Sequence, residues 1–123
     1  MMLPQYWIHF LDSNKLRGKD CRFGTSIDQT GIGADLTIFT EAESIDEAEN
    51  FYPGIAVSPD GYVPVAGCLD GSGDPYFIKV SDGPNGALYR VYHDEVREDG
   101  SRTDDAIAVV LQNYELLLQH VEP

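Results

Sequence analysis

Residues 76–93 read YFIKVSDGPNGALYRVYH, and this stretch decides the fold. Two runs, 76–80 and 88–93, are rich in aromatic and β-branched residues, the side chains that fit a pleated, half-buried surface. Between them SDGPNGA is made almost wholly of turn formers. The pattern predicts two strands joined as an antiparallel hairpin.

Working outward toward the N-terminus, the chain stays β-rich back to Gly54. A short strand is expected over 55–58, a turn at Pro59-Asp60-Gly61, another strand over 62–65, and a glycine-rich loop, DGSGD, over 70–74. ADLTIFT at 34–40 alternates apolar and polar residues and predicts a strand. Residues 15–33 are loop-like, with one short strand near 21–23. Ser44-Ile45-Asp46-Glu47 has capping-box form, so a helix is expected over 45–51, stopped by Pro53-Gly54. In the first segment Pro4 suits an opening helical turn, and Tyr6, Trp7, Phe10 and Leu11 fall on one helical face over 4–11, with Asn14 and Gly18 at its end.

Toward the C-terminus, 97–105 is a polar loop. AIAVVL at 106–111 is either a buried strand or the start of a helix, because periodicity does not separate the two in so short a run. Tyr114, Leu117, Leu118 and Val121 make a helical stripe, predicting a helix over 113–121 with Asn113 as its cap. Helix, strand, helix, strands, hairpin, helix is not the alternation of a parallel sheet. The order predicts one α+β domain over 1–123, a mostly antiparallel central sheet with helices packed on one side.

The charge balance bears on function. Twenty-one acidic residues face eight Lys and Arg, for a formal net charge of −13. Such a surface repels nucleic-acid phosphates and anionic lipid, and attracts basic partners. Cys21 and Cys68 are isolated from any second thiol in the sequence, which spells neither a disulfide framework nor a zinc site and leaves a single bridge open. The first ten residues lack the pattern of a signal peptide, and no apolar run approaches the ~18 residues of a membrane span. A cytoplasmic protein is expected.

Catalytic patterns fail one by one. Gly31-Ile32-Gly33 has Leu36 where a dinucleotide loop needs glycine, and the glycines of 67–74 lack the Lys-Ser/Thr of a phosphate loop. Asp70, Ser72 and Asp74 have the alternate spacing of a calcium loop, but Pro75 follows Asp74 and Ser81 stands where the bidentate Glu belongs. The acids there are read as holding a tight turn through loop amides. His93-Asp94-Glu95 is the densest cluster of reactive types; on a strand His93 and Glu95 would share a face with Asp94 turned away. No nucleophile elbow is present, and neither cysteine adjoins a base. The chain is read as a binding domain, not an enzyme, with no cofactor and no metal. Core packing accounts for Tyr6, Trp7, Phe10, Tyr76 and Tyr92, while Tyr62, Tyr89 and Tyr92 are alternatively exposed anchors for a partner.

Taken from Gly61 to Glu95, the sequence resembles the central signature of the SUKH superfamily, whose members include bacterial immunity proteins and a fungal regulator of cell-wall synthesis. The resemblance is carried by Val63-Pro64-Val65-Ala66, Gly71-Ser72-Gly73-Asp74, Tyr76-Phe77-Ile78 and Val91-Tyr92-His93-Asp94. Leu3-Pro4-Gln5-Tyr6 with Phe10-Leu11, and Asn113-Tyr114-Glu115-Leu116-Leu117, are similar to the family's flanking helices. The segment 19–51 carries no pattern of the family. The resemblance implies an α+β domain with a largely antiparallel sheet that neutralises a cognate toxin, often a nuclease, by binding it. The expected partner is then a basic toxin domain, with no direct contact to nucleic acid or membrane. Asp70, Asp74, Tyr89, His93, Asp94 and Glu95 are the candidate partner-binding residues. Two other readings stand beside this one: a housekeeping scaffold module like the fungal relative, and a small metal-dependent enzyme using Asp70, Asp74, His93 and Glu95.

Overall fold

Among the described residues, each strand after the first pairs with the one before it. In the computed structural model, which describes residues 2–71 and 73–123, six strands form a single sheet in the order of the sequence, all neighbours antiparallel. They are β1 (Asp20–Phe23), β2 (Ala34–Ile38), β3 (Tyr62–Cys68), β4 (Tyr76–Lys79), β5 (Leu88–Val91) and β6 (Ile107–Leu111). The expected hairpin is β4–β5, with Tyr76 opposite Arg90 and Phe77 opposite Tyr89. Ser72, in the middle of the DGSGD loop, lies outside the described residues. The ambiguous run near the C-terminus is a strand: its β-branched residues pair with β5, with Ile107 opposite Val91 and Val109 opposite Tyr89. Pro64 sits inside central strand β3, and the ladder shifts register between Pro64 and Ala66, as expected where a residue without an N–H interrupts the pairing.

Among the described residues three α-helices accompany the sheet: α1 (Gln5–Asn14), α2 (Glu41–Asn50) and the single turn α3 (Gly54–Val57). α1 buries Trp7 and Leu11 and ends at Lys15, whose left-handed backbone (φ 53°) turns the next N–H, that of Leu16, back to Leu11 O at 3.1 Å. α2 starts one turn earlier than the Ser44 box predicted. Thr40 caps it instead: its hydroxyl accepts from Glu43 N–H, and the Glu43 carboxylate accepts from Thr40 N–H at 2.9 Å. Thr40–Glu43 and Ser44–Glu47 both fit the capping pattern, and burial selects the first, because Ser44 packs inward within the helix.

Residues 55–58 are not a strand. They lie in α3 and the 3-10 turn Ser58–Asp60 that follows it. Gly54 explains the tight joint between α2 and α3: a Cβ there would stand 2.1 Å from Glu47 O. The C-terminal element is a 3-10 helix, Tyr114–Gln119, not an α-helix. Asn113 does not cap it; its side chain donates to Asn85 O at 2.9 Å, and Asn85 Oδ1 accepts from Glu115 N–H at 3.0 Å.

The sheet carries packing on both faces, so the helices are not confined to one side. The larger core joins α1 and the C-terminal 3-10 helix to Leu36, Ile38, Val63, Ile78 and Leu88. Trp7 meets the Tyr114 ring edge-on at 5.2 Å. The opposite face holds a smaller cluster of Val57, Tyr62, Phe77 and Val91. The sheet is curled: Gln29, in the loop after β1, donates its N–H to Val110 O of β6 at 2.9 Å.

Candidate functional site

The register of the β4–β5 hairpin brings the residues just before β4 beside those just after β5. Asp74 and His93 meet there. One Asp74 carboxylate oxygen lies 2.6 Å from His93 Nδ1 and accepts the His93 backbone N–H at 3.0 Å. Asp74 is buried. The other ring nitrogen, Nε2, lies 3.0 Å from the exposed Asp94 carboxylate. Both imidazole nitrogens are therefore engaged by carboxylates, which fixes the ring orientation.

His93, Asp94 and Glu95 are not on a strand. They form a 3-10 turn that begins where β5 ends, so the strand rule that put His93 and Glu95 on one face does not apply. Glu95 turns instead to the Thr103 hydroxyl, and its N–H donates to Tyr92 O. Asp70 accepts from the Cys68 thiol at 2.6 Å. Of the four residues proposed for a metal-dependent reading, Asp74 and His93 come together, while Glu95 and Asp70 bond elsewhere. Among the described residues no group of three or more His, Cys, Asp or Glu is placed to hold a metal ion. Cys21 and Cys68 form no disulfide among the described residues.

Tyr89 belongs to a different place. It stands on β5 with its ring edge-on to Tyr62 at 5.4 Å, and its hydroxyl donates to Asp82 at 2.6 Å. Burial, then the Asp82 hydrogen bond, pushes the phenol's pKa upward. Lys79 lies over the Tyr62 ring, 5.2 Å from its centroid. Tyr62 and Tyr89 form one wall of a cleft of about 340 Å³ completed by Arg102, Thr103, Ile107 and Val109. A cleft of about 400 Å³ adjoins it through Arg102 and Thr103 and is lined by Asp94, Glu95, Arg97 and Ser101. The six candidates thus divide into Asp70 at the end of β3, the Asp74–His93–Asp94 contact, and Tyr89 and Glu95 on the two connected clefts.

Carboxylates dominate this side of the molecule. Between 94 and 105 stand six acids and two arginines. Arg102 is held by Asp60 at 2.7 Å. Among the described residues, Glu95, Glu98, Asp99, Asp104 and Asp105 form no ion pair with Lys or Arg, and all are exposed. α2 is a second acidic surface, with five acids and no base; of these Glu41 pairs with Arg17 at 2.6 Å.

Two features were not read from the sequence. Arg90, fully buried on β5, donates to Asp28, to Gly33 O and to the Tyr76 hydroxyl. The signal was available: Arg90 follows Leu88 by two, so it shares the core-facing side of the strand, where a charge demands a partner. The second is a cleft of about 610 Å³ between α1 and the C-terminal 3-10 helix, lined by Tyr6, Phe10, Tyr114 and Leu118.

No helix among the described residues is long and apolar enough to cross a membrane. No family model, curated protein or solved structure matches the chain.

Proposed function

We propose that the chain is a non-catalytic protein-binding domain whose acidic surface captures a basic protein. Following the resemblance to the SUKH superfamily, the partner is a toxin domain of nuclease type, and the chain acts as its immunity protein in the cytoplasm. One observation carries the reading. The net charge of −13 is not consumed by internal pairing, because the carboxylates of 94–105 and of α2 outnumber the cations beside them. Nucleases present basic surfaces to hold phosphate. Carboxylates on α2 and on the segment between β5 and β6 would occupy those surfaces in place of nucleic acid, and the opposed fields would speed encounter.

The test is association with the protein encoded beside this chain, followed by stopped flow across ionic strength. The rate should fall at least about tenfold from low to high salt, since steered encounters are screened. Reversal of exposed acids (Asp46→Lys, and Glu98→Lys with Asp99→Lys) should slow it further. A rate indifferent to both salt and charge reversal would remove the electrostatic basis of the reading.

A further inference from the structure

The two edges of the sheet are finished differently. Along the outer side of β1 the C-terminal tail is laid down as a short partner: Arg22 N–H donates to His120 O, Glu122 N–H to Asp20 O, and Cys21 bridges Val121. β6 ends the strand order on the other side. Among the described residues, the backbone hydrogen bond that reaches it from outside the β5 ladder is the one from Gln29 to Val110.

The ladder itself says which groups are left facing outward. Tyr92 N–H donates to Ala106 O at 2.8 Å, and Arg90 stands opposite Ala108. Antiparallel pairing alternates, so the N–H and C=O of Ile107 and Val109 turn away from β5. An apolar edge of this kind is normally blunted by a charge or a proline. β6 reads IAVVL and has neither, and its bulge and the contact from the Gln29 loop fall at Val110, beyond Ile107 and Val109.

Beside that edge, Ile107, Val109 and Tyr89 are half-buried and line the cleft of about 340 Å³. The rim is acidic: Asp104 and Asp105 are exposed immediately before β6, and exposed Asp82 holds the Tyr89 hydroxyl. Arg102, which lines the cleft, is already paired with Asp60. Lys79 over Tyr62 shows that this aromatic surface accommodates an ammonium group.

We propose that the outer edge of β6 is the docking line for the basic partner, which adds an extended segment to the sheet. Its outward backbone groups bond to Ile107 and Val109, its apolar side chains enter the cleft against Tyr89, and its Lys or Arg side chains meet Asp104 and Asp105. This rests on the reading of the chain as a captor of basic protein and assigns that capture to one edge. A second copy of the chain is a poorer occupant, because two bodies of charge −13 repel.

The probe is a synthetic peptide of alternating Lys and Val, compared with a Lys–Gly peptide of equal charge and a Glu–Val peptide of equal apolar content. Amide exchange is followed residue by residue. The Lys–Val peptide should slow exchange at Ile107 and Val109. Val109→Pro removes an outward N–H, a substitution edge strands tolerate, and should weaken binding at least about tenfold. Asp104→Lys with Asp105→Lys, remote from the core, should do the same and decides the matter if the proline variant melts early. If the Lys–Gly peptide binds as tightly and protects neither amide, the edge is not the site, although acidic capture stands. If no cationic peptide binds, both readings fall. A concentration-dependent dimer that Val109→Pro abolishes would put a second copy at the edge and overturn the proposal.

Discussion

The guanidinium of Arg90 lies 3.2 Å from the carboxylate of Asp28, and solvent reaches neither side chain. Asp28 also gathers its own loop, accepting from Thr30 N–H at 2.8 Å, the Thr30 hydroxyl at 2.7 Å and Gly33 N–H at 3.0 Å. The pair therefore ties the 24–33 loop to β5. Arg90→Met leaves a buried carboxylate without its cation and should cost about 3–5 kcal/mol in urea unfolding. Asp28→Ala should cost a similar amount, with the double variant short of their sum, because the two changes share the Arg90–Asp28 interaction. Additive losses would show that the two side chains act separately.

Asp74 and Asp94 both contact His93, yet burial assigns them different work. Asp74 is buried and accepts both a ring nitrogen contact and the His93 backbone N–H. Asp74→Ala strands that N–H and should cost about 1–3 kcal/mol while exposing the 69–75 loop to protease. Asp94 is 88% exposed, so Asp94→Ala should leave stability within about 0.5 kcal/mol. Equal losses from the two substitutions would contradict this division.

What the sequence made legible follows from the range of each signal. The β4–β5 hairpin was readable because strand alternation and turn residues are local, and the turn fixes the register. α1 was readable because Trp7 and Leu11 fall on one helical face. Where two local signals competed, local reading failed: Thr40–Glu43 and Ser44–Glu47 are equally good caps, and only packing around Ser44 separates them. The short run at 55–58 has no period to read, and the close joint at Gly54, where a Cβ would stand 2.1 Å from Glu47 O, depends on the packing of α3 against α2. Of the candidate site, the Asp74–His93 contact lies within the reach of the hairpin, whereas the cleft against Tyr89 needs residues from β3, β5 and β6 together.

The two thiols should differ sharply in reactivity. Cys21 is fully buried, and burial, with smaller contributions from Asp20 and Glu122, pushes its thiol up to about 11. Cys68 is half-buried and lies beside Asp70. A thiol reagent at mildly alkaline pH should modify Cys68 in the native protein and Cys21 only once denaturant is added. Two thiols reacting equally fast in the native state would mean that the 120–122 tail does not close over β1.

Glu47 supplies a pH test whose sign is opposite to that of Glu41. Burial, then the neighbouring Asp46, raises its pKa above the usual value, so the fold disfavours the ionised form. The unfavourable contribution is absent below the unfolded pKa and fully present above the raised folded one. Glu41 runs the other way, because its hydrogen bond from Arg17 lowers its pKa and its stabilisation is lost as pH falls. Comparing Glu47→Gln with the parent isolates the first effect from the second. The variant should be more stable at neutral pH, and its advantage should shrink to nothing as pH drops below the carboxylate range. An advantage that persists unchanged in acid would assign the gain to the amide's contacts with its surroundings, not to the charge that the fold excludes.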